Sequence, residues 1–151
     1  MIYRKALFTD VEAIHSLVNA HAENGTMLPR SRNVLYETLR DMILAEEDGQ
    51  VVGVGALHLV WDELAEIRAL AVAPSHIRQR IGSRIVDELI KEAQALGVKT
   101  VFTLTYRDDF FSRHSFTVIE KEKLPHKVWK DCIECPKFPN CDEIAMIREL
   151  Q

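Results

Sequence analysis

No stretch of this sequence is apolar for long enough to cross a bilayer. The longest such run, Val51 to Trp61, falls well short of the roughly 20 residues a spanning helix needs. The amino terminus, MIYRKALFTD, has no long apolar segment after its charges, so a cytoplasmic location without a membrane partner is expected. Excess positive charge is lacking too: 19 Lys and Arg against 23 Asp and Glu leave a net charge of −4. That balance gives no overall attraction to nucleic acid, which is not an expected partner, although a local basic patch can still hold phosphates. Cysteine is scarce, and all three, Cys132, Cys135 and Cys141, fall within ten residues. An odd number in so short a span makes no disulfide framework and suits a reducing compartment. Internal repeats and low-complexity tracts are absent.

What is present is an ordinary globular balance. With 151 residues, 47% hydrophobic and 28% charged, the chain has enough apolar area to offset chain entropy in one core. One domain spanning residues 1–151 is expected. Ile2 to Leu7 reads as a strand. Thr9-Asp10-Val11-Glu12 matches a capping box, so a helix is expected from Asp10, with Val11, Ile14, Leu17 and Val18 on its apolar face. Asn24-Gly25 breaks that pattern, Met27 to Arg30 forms a loop, and a short second helix is expected near Asn33 to Arg40. Met42 to Glu46 and Val51 to Val60 flank Asp48-Gly49, the signature of a tight antiparallel hairpin.

Leu64 to Val72 is a further strand, stopped by Pro74. Ile81, Ile85, Leu89, Ala93 and Leu96 recur at helical spacing until Gly97. Val98 to Thr105 is rich in β-branched residues and reads as a strand, Asp108 to His114 as a short helix, and Phe116 to Ile119 as strand-like. An irregular stretch follows before Glu143 to Arg148 supplies a closing strand. The expected class is α/β (α+β), a mixed central β-sheet flanked by helices. A homodimer is admitted but not required by anything in the sequence.

Between the strand EIRALAV and the helix from Ile81 lies APSHIRQRIGSR, with a glycine and three arginines, Arg78, Arg80 and Arg84. Amides at a helix start point outward with partial positive charge, so an anionic group placed there is held by backbone donors, the helix dipole and forked guanidinium donors. The order of elements around this turn resembles the GNAT acetyltransferase superfamily over nearly the whole chain. In that family the turn reads Arg/Gln-x-x-Gly-x-Gly/Ala and grips the pyrophosphate of coenzyme A. Here Ile77 stands for the Arg/Gln and Arg80 for the first glycine, while Gly82 is kept.

The resemblance implies acetyl-CoA as co-substrate. Its pyrophosphate would lie on Arg78, Gln79, Arg80, Ile81, Gly82, Ser83 and Arg84, and its pantetheine arm on backbone groups of Leu70, Ala71 and Val72. It also implies that Glu66 acts as a base through water, the alternative being a structural ion pair with Arg68. Family members often carry a tyrosine on the short helix to protonate the departing thiolate. Phe111 occupies that cofactor-lining stretch here and cannot donate a proton, and Tyr106 is the candidate substitute, its alternative being a packing residue.

Two strings, MLPRS at Met27 to Ser31 and LPHKVWKDCIECPKFPNCDEIAM at Leu124 to Met146, resemble the short N-acetylglutamate synthases of arginine biosynthesis. That likeness implies L-glutamate as acceptor, acetylated on its α-amine by direct transfer in a ternary complex, with its carboxylates held by Arg30, Arg68 and Lys127. Another amino acid or a protein amine is the alternative acceptor, and a non-catalytic acetyl-CoA or amino-acid sensor is the alternative class. Cys132-x2-Cys135-x5-Cys141 has one metal-knuckle spacing, which His126 or Asp142 would complete for zinc; inert or redox-sensitive thiols are the other reading.

Overall fold

The computed structural model describes residues 1–23, 30–124 and 143–150. Among the described residues, seven strands and four α-helices follow one another as β1 (Ile2–Lys5), α1 (Val11–Glu23), α2 (Arg32–Glu37), β2 (Met42–Glu47), β3 (Gln50–Trp61), β4 (Leu64–Val72), α3 (Ile81–Leu96), β5 (Thr100–Thr105), α4 (Asp108–Ser112), β6 (Thr117–Ile119) and β7 (Ile144–Glu149). The strands hydrogen-bond in the order β1-β2-β3-β4-β5-β7-β6. The fold is thus a mixed α/β sheet flanked by helices, as the pattern of apolar residues implied. By contact density the chain separates into two compact units, Met1–His58 with Ile67–Glu92, and Leu59–Glu66 with Ala93–Gln151.

In the first unit, β1 and β2 run antiparallel with Ile2 opposite Glu46, and β2 turns into β3 through Asp48 and Gly49, both at positive φ (52° and 78°). Side chains alternate across a strand, so Met42 and Leu44 of β2 and Val54 and Ala56 of β3 share one face. There they pack with Val11, Ile14 and Val18 of α1, Leu35 of α2 and Ala71 of β4. The other face carries Gly53 and Gly55 against α3. A Cβ at Gly53 would stand 2.9 Å from Ile81 Cγ2, and one at Gly55 would stand 2.5 Å from Ile85 Cγ2. The missing methyl groups let α3 lie directly on the strand through its buried stripe Ile81, Ile85 and Leu89. The start of α3 is fixed by this contact.

The entry to α1 differs from the expected capping box at Thr9. A single 3-10 turn, Phe8–Asp10, precedes the helix, and the Asp10 carboxylate accepts from the Leu7 amide at 2.7 Å. Asp10 is only 7% exposed and accepts hydrogen bonds from Arg4 Nη1 and Nη2, each at 2.8 Å. A buried carboxylate needs a cation, and Arg4 supplies it to Asp10 while also reaching Glu46 Oε1 at 3.3 Å. Glu12 faces solvent and pairs with Arg32. Hydrogen bonds from Arg4 hold the Asp10 carboxyl below its ordinary range, against the opposing effect of burial.

In the second unit, β4 and β5 pair in parallel at Leu64↔Thr100, Ala65↔Val101 and Glu66↔Phe102. β7 lies antiparallel between β5 and β6. The core here is Leu64, Phe102, Leu124 and Ala145. Helix boundaries of the short elements are tighter than expected: α2 ends at Glu37 and gives way to a 3-10 turn, Leu39–Asp41, and α4 ends at Ser112. No helix among the described residues is long and apolar enough to cross a membrane.

Candidate active site

The junction is built from β4. Ala69 sits at φ 54° inside this strand. A left-handed residue interrupts extended geometry, as a bulge does, and redirects the backbone groups that follow. Those groups belong to Leu70, Ala71 and Val72. Val72 is tied by its carbonyl, which accepts a hydrogen bond from His21 Nε2 at 2.9 Å, and the next amide, Ala73 N–H, donates to Val52 O at 2.8 Å. A 3-10 turn at Pro74–His76 follows, with His76 Nε2 against Glu47 Oε1 at 3.4 Å.

The chain then climbs through exposed Ile77 to Arg80, of which Arg78 (φ 74°) and Arg80 (φ 59°) are left-handed. Two left-handed residues in three fold the backbone tightly, which is the physical reason a glycine suits the position of Arg80 in this turn. Arg80 retains that conformation with an exposed side chain. α3 begins at once: Arg84 N–H donates to Arg80 O at 3.1 Å. The amides of Ile81, Gly82 and Ser83 therefore precede the first intrahelical bond, and in a 16-residue helix they carry the positive end of the dipole. Ile81 offers only its backbone to a ligand, because its side chain is 2% exposed in the core. The strand end and this turn thus form one anion-ready ledge within the first unit.

Arg84 is committed elsewhere. Its Nε donates to Glu88 Oε1 at 3.0 Å, and its guanidinium stands 4.8 Å from the Tyr3 ring centroid. Hydrogen bonding from Arg84 lowers the Glu88 carboxyl. Burial raises the Tyr3 phenol, with Arg84 opposing. Gln79, Arg84, Tyr3 and Glu88 line a cavity of about 540 Å³. The other expected cofactor-lining residue, Phe111, lies in the second unit, 4% exposed, edge-on to Phe110 at 5.1 Å and Phe116 at 5.3 Å.

Of the expected catalytic pair, Glu66 is partly buried in register with Phe102, and Tyr106 follows β5 just before Arg107, whose amide donates to Thr105 Oγ1 at 2.8 Å. Glu66, Arg68 and Tyr106 all have interaction partners. Arg68 lies partly buried on β4. Arg30 is held by its backbone: its amide donates to Asn19 Oδ1 at 3.1 Å, and its carbonyl accepts from Asn19 Nδ2 at 3.0 Å. Lys127, Cys132, Cys135 and Cys141 lie outside the described residues. Among the described residues, no three His, Cys, Asp or Glu side chains group as a metal site.

Sequence reasoning missed Ala69, His21 and Asn19. An alanine carries no mark of a left-handed φ, and a polar residue late in an amphipathic helix looks like solvated surface until its partner is known.

Residues 11–117 match the model of the acetyltransferase (GNAT) family. An uncharacterized N-acetyltransferase of Chlorobaculum tepidum is 40% identical over 97% of this chain and 95% of its own length. An amino-acid acetyltransferase of Mycobacterium tuberculosis is 39% identical over 86% of this chain and 76% of its own length. Among solved structures, Rv2747 from Mycobacterium tuberculosis, in complex with CoA and NLQ, superposes over the whole of both chains with a TM-score of 0.88 at 34% identity. N-acetylglutamate synthase from Neisseria gonorrhoeae, complexed with coenzyme A and N-acetyl-glutamate, superposes with a TM-score of 0.90 at 26% identity, this chain covering 35% of that longer protein. Family match and relatives agree: this chain belongs to the acetyltransferase (GNAT) family and is an acyltransferase.

Proposed function

We propose that this protein transfers the acetyl group of acetyl-CoA to the α-amine of an amino acid, with L-glutamate as the acceptor. The observation that carries the first half is the ledge itself, where the redirected end of β4, two left-handed arginines and the start of α3 meet between Ala69 and Ser83. Backbone groups of Leu70 to Val72 suit an amide-bearing arm, and the amides of Ile81 to Ser83 with Arg78 and Arg80 suit a pyrophosphate. Arg84 joins them on release from Glu88. Support for glutamate comes from the N-acetylglutamate synthase that this fold resembles.

In this reading the carboxylates of glutamate pair with Arg30, Arg68 and Lys127, and its ammonium loses a proton through water to Glu66. The neutral amine attacks the thioester carbonyl, the C–N bond forms and the C–S bond breaks; the departing thiolate takes a proton from Tyr106, and the Tyr106 phenolate takes the second proton from the acylated nitrogen. The test is free-thiol release from acetyl-CoA with glutamate, glutamine, aspartate, lysine and a lysine-rich peptide. Glutamate-dependent release is expected. Binding of acetyl-CoA with no release for any acceptor would sink the enzyme reading, and release with the peptide alone would move the acceptor from an amino acid to a protein amine.

A further inference from the structure

MLPRSR carries two arginines that an acidic acceptor could use, and the structure treats them differently. Arg32 is already occupied: its Nε and Nη2 donate to the two carboxylate oxygens of Glu12 at 2.7 and 3.0 Å. Arg30 is fixed by its main chain. A primary amide presents a carbonyl and an N–H side by side, as a peptide group does, and Asn19 uses both on the same residue, accepting from Arg30 N–H at 3.1 Å and donating to Arg30 O at 3.0 Å. The second Nδ2 hydrogen goes to His15 O, one turn back in α1, at 2.8 Å. Both donors of the amide are used and its oxygen accepts, so a flipped amide would set oxygen against two carbonyls. Asn19 is half-buried on a helix whose apolar side packs into the first core.

We propose that Asn19 is a positioning residue for the acceptor: it acts through Arg30, fixing the Cα from which that guanidinium reaches the acceptor carboxylate. The inference rests on Arg30 serving glutamate, as argued above. A long, flexible side chain recognises a carboxylate well only from a fixed base, and a displacement of about 1 Å at such a point can cost up to about 100-fold in turnover.

The experiment is a double-mutant cycle with Asn19→Leu and Arg30→Ala in the full chain, reading KM for glutamate, KM for acetyl-CoA and the melting temperature. Asn19→Leu is expected to raise the glutamate KM roughly tenfold while leaving the acetyl-CoA KM within about twofold, and to add less than about twofold once Arg30 is alanine. Asn19→Asp keeps the shape and the acceptor for the Arg30 amide but sets an oxygen against the His15 and Arg30 carbonyls; it should raise the glutamate KM at least as much as Asn19→Leu, and it carries the cycle if the leucine variant does not fold. Equal rises in both KM values, or an undiminished effect in the Arg30→Ala background, overturn the proposal. Arg30→Ala with an unchanged glutamate KM refutes the acceptor reading and the role of Asn19 together. Arg30→Ala with a raised KM, alongside Asn19 variants that behave as wild type, refutes the clamp alone.

Discussion

Placing a methyl group at position 55 tests whether the sheet sets the start of α3. A Cβ there would lie 2.5 Å from Ile85 Cγ2 and 3.2 Å from both Leu70 Cδ1 and Leu89 Cδ1. Carbon atoms rest at about 3.5–4.0 Å, so roughly 1 Å must be found. Ile85 is fully buried and β-branched, and it cannot turn away without losing its own packing. The helix must lift. Overpacking of this kind costs about 1–3 kcal/mol, and the stiffer unfolded chain of an alanine variant returns about 0.5 kcal/mol. The net for Gly55→Ala is therefore about 1.5 kcal/mol, or about 3–6 °C in melting temperature for a chain of this size. Because the start of α3 moves with the helix, the acetyl-CoA KM should rise roughly tenfold. Gly49→Ala is the control: nothing lies within 4 Å of its Cβ, so its penalty comes from φ +78° alone and the KM should not move. Combining Gly55→Ala with Ile85→Ala makes room for the methyl group, so the double variant should be more stable than the sum of the single effects by at least about 0.5 kcal/mol. A Gly55→Ala protein melting within about 1 °C of wild type, or strict additivity with Ile85→Ala, would refute the reasoning.

Two further outcomes follow from the backbone and from charge. Arg80→Gly should melt above Arg80→Ala by about 2–4 °C, since both remove the guanidinium and only glycine relieves the left-handed backbone at φ 59°, a difference of about 1 kcal/mol; equal melting temperatures would contradict the strain. Asp10→Asn should cost about 2 kcal/mol at neutral pH, the loss of a charge-assisted pair with Arg4. Because the folded pKa of Asp10 lies below its unfolded value, its contribution is complete above about pH 5 and is lost as pH falls through the folded pKa. The melting-temperature gap between wild type and Asp10→Asn should accordingly be constant between about pH 6 and 8 and close in acid, and a gap that persists to the lowest pH at which both fold would count against it.

Where the pattern of side chains is enforced by burial, the sequence could be read directly. β4 was expected at Leu64 to Val72 and is found there, and α3 ends at Leu96 as Gly97 implied. The Asp48-Gly49 turn also stands where its dipeptide placed it. The α1 cap was misplaced because two acids, Asp10 and Glu12, fit the start of a helix locally, and the choice was made by Arg4, which arrives from β1. The ledge was legible as glycine and arginines at a helix start. Its shaping by Ala69 was not, since the left-handed φ comes from the surrounding strands rather than from the residue. Arg84 was expected to face an anion, and its stacking on Tyr3 depends on a strand more than 80 positions away in the chain.

The bond between His21 and Val72 has a spectroscopic consequence. A carbonyl can only accept, so the neutral imidazole of His21 must carry its proton on Nε2, leaving the lone pair on Nδ1. Its two ring nitrogens are then magnetically distinct in a way that a freely exchanging surface histidine averages out. Nitrogen-15 labelling of histidine would make this ring a native reporter at the last residue of β4, telling without any added probe whether the strand end stays docked on α1 as substrates arrive and products leave.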